Sequence, residues 1–160
     1  RGVLERAAVA RKAAHAAGAL FVLNDRPDLA VAFDADGVHV GQDDVTPSLC
    51  RQILGDDVLV GLSTHSVSEL DAALDEPVDY VSVGPVEPTP TKPGRPGTGL
   101  GFVEYAAERC TLPFFVTGGV SPETLPDLLA AGATRFVVVR ALTLAPDPAA
   151  VTRELRRLMA

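Results

Sequence analysis

The sequence predicts an α/β fold, best described as the later part of a TIM-type (β/α)8 barrel, to which the 160 residues contribute about six strands as one partial domain over 1–160, with the first two strands missing. Three observations carry this prediction. Six short apolar runs rich in β-branched residues recur along the chain, and a stretch with helix-start signals follows each of them. The runs are nearly continuous in hydrophobicity instead of alternating, as strands are when both faces of a parallel sheet are covered. A helix-like stretch at 3–17 precedes the first run, so the series opens on a helix whose own strand is absent. A doubly wound open sheet is the alternative architecture that the same pattern allows.

Taken in order, the opening helix at 3–17 is closed by Gly18, which suits the left-handed position that ends many helices. The first strand, 20–23, leads into Asn24-Asp25. The second, 37–40, leads into Gly41-Gln42-Asp43-Asp44, after which Thr46-Pro47 places a cap residue before a proline at the first helical position. The third, 58–62, leads into Ser63-Thr64-His65, and Ser66 with Glu69 has the spacing of a capping box. The fourth, 80–83, opens onto a Gly/Pro/Thr-rich segment, 84–101, longer than most connections in compact domains. The fifth, 114–116, is followed by Gly118-Gly119 and Ser121-Pro122. The sixth, 136–139, is followed by Arg140 and then by Asp147-Pro148. Neither an internal repeat nor a linker divides the chain.

Composition narrows the function classes. Apolar residues make up 47% of the chain, enough to build a core. A net charge of −7 argues against a nucleic-acid partner, since binding a phosphate backbone needs a basic face. Small phosphorylated ligands are still allowed, because helix N-termini, local cations and a metal ion can hold them. No apolar run approaches the roughly 20 residues that span a bilayer, and no charged-then-apolar signal follows Arg1. The expectation is a cytoplasmic protein without a membrane partner. Cys50 and Cys110 lack C-x-x-C spacing, which argues against a disulfide framework or structural zinc. Because the first residue is Arg, an upstream segment is expected to have been removed.

In parallel βα folds the chemistry sits at the carboxyl ends of the strands, so polar residues there need a reason. Asp25 and Asp44 follow adjacent strands and suit a shared hard cation such as Mg²⁺, which takes one or two carboxylates plus water and phosphate oxygens. The competing role for each is capping the next helix. Thr46 already fills that role near Asp44, whereas Asp25, beside Arg26-Pro27, retains it. With Ser66 as the cap, the Ser63 hydroxyl is left for a ligand or for a local backbone bond. Thr89, Thr91 and Lys92 lie among prolines that can hold two hydroxyls and an ammonium toward one anion, unless the segment is disordered. Gly118-Gly119 lets backbone N–H groups approach a phosphate, and Val139-Arg140 follows the last strand as in the common phosphate site of barrel enzymes. His15, His39 and His65 have no partner at metal-ligand spacing, and structural roles are expected for all three.

Asn24-Asp25, the run His39-Val40-Gly41-Gln42-Asp43-Asp44, the run Gly61-Leu62-Ser63-Thr64-His65, GPVEPTPTK at 84–92 and Gly118-Gly119 follow one another in an order that resembles the thiamine-phosphate synthase (thiamine-phosphate pyrophosphorylase) family. The resemblance runs from the leading helix to Leu158, and the GP-x-x-PT-x-TK run is its most specific element.

The resemblance implies a transferase of thiamine biosynthesis that condenses an aminopyrimidine pyrophosphate with a thiazole phosphate. Asp25 and Asp44 would hold Mg²⁺. Asn24, Ser63 and Lys92 would surround the pyrophosphate and the departing bond, with Ser63 and Lys92 in catalytic roles. Thr89, Thr91 and Gly119 would contact the thiazole phosphate, and Val139 and Arg140 would form the last phosphate-binding turn. The implied reaction is dissociative: pyrophosphate leaves to give a pyrimidine-stabilised carbocation, which the thiazole nitrogen captures. Arg140 departs from the small hydroxyl residue common in the family, and Thr117 replaces a smaller or apolar residue. The family's Gln-x-Arg-x-Lys motif is expected before Arg1, so the chain alone is expected to show little synthase activity and to self-associate through open sheet edges. A thiazole tautomerase and a non-catalytic ligand-binding fragment are the rival readings.

Overall fold

The structure, a computed structural model, describes residues 2–88 and 96–160. It is an α/β fold with a five-stranded sheet in the order β1-β2-β3-β4-β5 and parallel ladders. In chain order the elements are α1 (Gly2–Ala16), β1 (Val22–Asn24), α2 (Pro27–Ala32), β2 (Gly37–Val40), α3 (Pro47–Leu54), β3 (Leu59–Thr64) and α4 (Val67–Ala73). They continue as β4 (Tyr80–Val83), α5 (Leu100–Arg109), β5 (Phe114–Val116), α6 (Leu125–Ala130), α7 (Arg140–Thr143) and α8 (Pro148–Leu158). The chain divides into two compact units, Arg1–Ser63 with Asp75–Tyr80, and Thr64–Leu74 with Val81–Ala160. Among the described residues no helix is long and apolar enough to cross a membrane.

In the first unit β2 is the central strand. It pairs Asn24 with His39 on one side and His39 with Gly61 on the other. Val38, Val40 and Val60 are fully buried and, with Cys50 of α3, form the core. Burying each such valine contributes about 1.5–3 kcal/mol at most. Arg51, in the last turn of α3, clamps the amino-terminal side of β3: it donates to the Val58 carbonyl at 2.7 Å and to the Pro77 carbonyl at 3.1 Å, and it pairs with Asp79 at 2.5 Å. Asp79 also accepts the Val60 N–H at 2.7 Å, so this end is tied down while the carboxyl ends carry the polar residues.

In the second unit β4 and β5 pair from Val81↔Phe114 to Val83↔Val116. Val81, Val83, Val103, Val116, Leu70 and Leu125 are fully buried. Thr64 is equally buried, and its hydroxyl donates to the Ser82 carbonyl at 2.9 Å, which satisfies a polar group that would otherwise be costly inside.

Local signals located most elements. The strands at 37–40, 80–83 and 114–116 match, and Gly18 follows α1 at φ +69°. Thr46, Ser66 and Asp147 each accept the N–H three residues on, at 3.4, 3.2 and 3.0 Å. Four details differ. The first strand is displaced to Val22–Asn24, leaving Leu20 63% exposed outside the ladder. β3 runs on to Thr64, so Ser63 lies within a strand instead of after one. The 136–139 run forms only a parallel bridge between Val116 and Phe136, because Val139 has already turned to helical angles ahead of α7. Ser121-Pro122 opens a turn instead of a helix. The Thr124 hydroxyl accepts the Ser121 N–H at 3.0 Å and donates to the Gly119 carbonyl at 2.7 Å, which delays α6 to Leu125.

Candidate active site

At the end of β1, the Asp25 N–H donates to the His39 carbonyl at 2.8 Å, which carries the β1–β2 pairing one residue further. Asp25 has φ +62°, a left-handed conformation that is unusual outside glycine and that in functional sites stores about 1–3 kcal/mol of strain. The capping role that competed for Asp25 is not its own. Arg26 holds the cap position of α2 without a side-chain cap bond and pairs instead with Asp28, whose carboxyl it holds down at a pKa of about 2.

At the end of β2, Asp44 Oδ2 accepts the Gly41 N–H at 2.9 Å while the Asp44 N–H donates to the Gly41 carbonyl at 3.3 Å. Asp44 therefore has a structural duty besides any ligand, a correction to the expectation that the cap was its only competing role. Asp43 and Asp44 are both exposed. The donor chemistry of Asp25 and Asp44, two carboxylates on neighbouring strand ends, suits Mg²⁺ completed by water and phosphate oxygens. No group of three or more His, Cys, Asp or Glu suited to a metal occurs among the described residues.

Ser63 is anchored twice. Its carbonyl accepts from Gln42 Nε2 at 2.6 Å, and its Oγ lies 2.9 Å from His39 Nε2. Besides the ligand and the local backbone bond that the sequence offered, the Ser63 hydroxyl has a side-chain partner on the adjacent strand. His39 Nδ1 lies 3.1 Å from Tyr80 Oη, and the two rings stack at 5.4 Å and 26°. Gly61, in register with His39, makes the room: a Cβ there would lie 2.1 Å from Tyr80 Cζ and 2.5 Å from His39 Nδ1. Burial, with a smaller contribution from Asp79, pushes the Tyr80 phenol up to about 12. Sequence reasoning missed His39 and Tyr80 as part of this site. A glycine in the otherwise Val/Leu run at 58–62 is the signal, since it marks close approach by a bulky neighbour.

His65 and His15 are held locally. Glu69 accepts from the His65 N–H at 2.8 Å and lies 2.9 Å from its Nδ1, so the predicted capping box reaches His65 and not Ser66. His15 Nε2 lies 2.7 Å from Asp36.

In the second unit, Gly118 and Gly119 follow β5 at φ +88° and +79°, and the Gly84–Pro85 peptide is cis. A Cβ on Gly118 would lie 2.5 Å from the Pro85 Cβ and 2.8 Å from the Val86 nitrogen, so this glycine is required by backbone packing. A Cβ on Gly119 would instead meet the Glu87 carboxylate at 2.5 Å. Val86, Glu87, Gly118, Gly119, Thr124 and Asp127 line a cavity of about 240 Å³. Glu87 and Asp127 were not among the expected site residues; an anion seated over Gly119 would need the flexible Glu87 side chain to move aside. Val139 and Arg140 are exposed at the start of α7. Thr89, Thr91 and Lys92 lie outside the described residues.

The profile of the family described as thiamine monophosphate synthase matches residues 1–142. A thiamine-phosphate synthase from Acidothermus cellulolyticus is 51% identical over 145 residues, covering 89% of this chain and 68% of its own length. One from Nostoc punctiforme is 50% identical over 152 residues, covering 95% of this chain, which spans only 43% of that relative. Among solved structures, a thiamine phosphate pyrophosphorylase from Pyrococcus furiosus superimposes with a TM-score of 0.89 at 29% identity, over 99% of this chain and 76% of the other. A 3-hexulose-6-phosphate synthase, with a TM-score of 0.73 at 22% identity over 98% of this chain and 81% of its own, shares the fold. With the strand-end residues and the profile in agreement over most of its length, the chain belongs to the thiamine monophosphate synthase family.

Proposed function

We propose that the protein carrying this chain is a thiamine-phosphate synthase, condensing 4-amino-2-methyl-5-hydroxymethylpyrimidine pyrophosphate with 4-methyl-5-(2-phosphoethyl)thiazole to give thiamine phosphate and pyrophosphate. The observation that carries the reading is the first unit's rim: Asp25 follows β1, Asp44 lies in the turn after β2, and the doubly anchored Ser63 sits one residue before the end of β3.

In this reading Asp25 and Asp44 hold Mg²⁺, which neutralises leaving-group charge when bound. Asn24 and Ser63 present an amide and a hydroxyl to the pyrophosphate, and Lys92 adds an ammonium. Thr89, Thr91, Gly119, Val139 and Arg140 receive the thiazole phosphate through hydroxyls, backbone N–H groups and a guanidinium. The bond from the pyrimidine methylene to pyrophosphate oxygen breaks, and the thiazole nitrogen forms the new C–N bond. The partners are small phosphorylated molecules and a second copy of the chain, and the location is cytoplasmic.

The test is a coupled measurement of pyrophosphate release and thiamine phosphate formation by the purified protein with both substrates and Mg²⁺. Stoichiometric formation of both products supports the synthase. Isomerisation of the thiazole without pyrophosphate release would identify a tautomerase, and saturable binding with no turnover a ligand-binding protein; either result overturns the reading.

A further inference from the structure

Three side chains of the first unit form a continuous polar path through partly buried space: Tyr80 Oη, 3.1 Å from His39 Nδ1, and His39 Nε2, 2.9 Å from Ser63 Oγ. Ring stacking on Tyr80 and the Gln42 bond to the Ser63 carbonyl hold both ends of the path in place. A neutral imidazole has one donor nitrogen and one acceptor, so the two contacts are not independent: the proton carried by one nitrogen decides what the other can do.

Both outer partners are hydroxyls and could take either role. Their chemistry separates them. The phenol oxygen shares its lone pair with the ring, which makes Tyr80 the better donor and the poorer acceptor, whereas the aliphatic oxygen of Ser63 is the better acceptor. Because its environment holds Tyr80 protonated well above neutral pH, the phenol keeps a hydrogen to donate.

We infer that Tyr80 donates to His39 Nδ1 and so fixes the Nε2–H tautomer, that His39 donates this hydrogen to Ser63 Oγ, and that the Ser63 hydroxyl proton is thereby turned outward as a donor to an anionic oxygen. His39 and Tyr80 are then positioning residues acting through Ser63. The last part rests on the synthase reading, in which that oxygen belongs to the departing pyrophosphate. The opposite tautomer would make Ser63 spend its proton on His39 and face the ligand as an acceptor, which suits an anion poorly.

The structural and functional parts have separate readouts. In protein labelled with ¹⁵N-histidine, two-bond ¹H–¹⁵N spectra distinguish the ring tautomers, and a His39→Asn spectrum identifies the His39 signals among those of the three histidines. The expected result is a single Nε2–H tautomer at neutral pH that gives way to a mixture or to Nδ1–H in Tyr80→Phe, a substitution that keeps the stacked ring. A proton on Nδ1 in the unaltered protein, or a tautomer unchanged in Tyr80→Phe, overturns the inference.

In the kinetic arm, Tyr80→Phe should lower turnover roughly 3- to 10-fold, the effect of losing one neutral hydrogen bond, with little change in KM. Added to Ser63→Ala it should cause no further loss, since the path has already been cut. Additive losses with the expected tautomer would show that Tyr80 does not act through Ser63. If the unaltered protein makes no thiamine phosphate while its His39 tautomer is as expected, the synthase reading and the donor role of Ser63 fall, and the tautomer assignment stands.

Discussion

Asp44 Oδ2 lies 2.9 Å from the Gly41 nitrogen, so the carboxylate offered to a metal also closes the turn that follows β2. The two duties can be separated by substitution. Asp44→Asn keeps a carbonyl oxygen for the Gly41 N–H and should leave the folded protein within about 0.5 kcal/mol of the original, whereas Asp44→Ala should cost about 1 kcal/mol in chemical denaturation. Both variants, and Asp25→Asn, should raise the Mg²⁺ concentration needed for half-maximal turnover by about 10-fold or more. Unchanged Mg²⁺ dependence in Asp44→Asn and Asp25→Asn would remove the metal assignment.

Gly118 and Gly119 are adjacent and both left-handed, yet they should fail differently. Alanine at 118 collides with Pro85 and the Val86 backbone, and such overpacking costs about 1–3 kcal/mol in addition to the φ strain. Alanine at 119 meets the Glu87 side chain, its carboxylate at 2.5 Å and its Cβ at 3.0 Å, and no backbone atom among these nearest contacts, so this variant should fold with a smaller loss, about 1–2 kcal/mol. Its defect should be a raised KM for the thiazole phosphate. Thermal melts and substrate titrations of the two variants check the ordering, and equal KM values for Gly119→Ala and the unaltered protein would exclude Gly119 from the phosphate site.

Asp36 fixes an acid limb of stability. Its carboxylate accepts the Phe21 N–H at 2.6 Å and lies 2.7 Å from His15 Nε2, and these contacts, the Phe21 bond first, lower its pKa below the ordinary 3.8. A carboxyl with a depressed folded pKa contributes stability that is fully present above the unfolded value and is lost as pH falls through the folded one. The first unit should therefore weaken below about pH 3.8, and Asp36→Asn should flatten that part of the stability curve. Denaturation midpoints from pH 7 to pH 2 measure it; parallel curves for the two proteins would contradict the assignment.

Lys92 is expected to matter more for the chemical step than for holding substrate, because leaving-group charge grows as the pyrophosphate bond breaks. Lys92→Ala should lower kcat and kcat/KM alike, by about 10²- to 10³-fold, with partial rescue by arginine. A raised KM with kcat intact would make Lys92 a binding contact only.

Much of the candidate site was legible because its signals are local. Thr46 before Pro47 and Asp147 before Pro148 announce their caps within a few residues, and the strand ends carrying Asp25 and Asp44 could be placed from the apolar runs before them. The 20–23 and 136–139 runs were placed less well, since apolar content marks a segment able to form a strand while the ladder partner decides which residues pair. Leu20 finds none, and only Phe136 of the second run bridges to Val116.

By itself, then, the sequence determined the βα series, the caps at Thr46, Ser66 and Asp147, the family and the residue types at the strand ends, all of which depend on neighbours a few positions apart. Only the tertiary structure decided what those residues do to one another. Ser63 is bound by a histidine 24 positions away, and that histidine by a tyrosine 41 positions away. Both contacts depend on the register that puts His39 beside Gly61, where the missing side chain leaves space for the Tyr80 ring. Register is a property of paired strands, and shifting either by one residue would turn these groups to the opposite face.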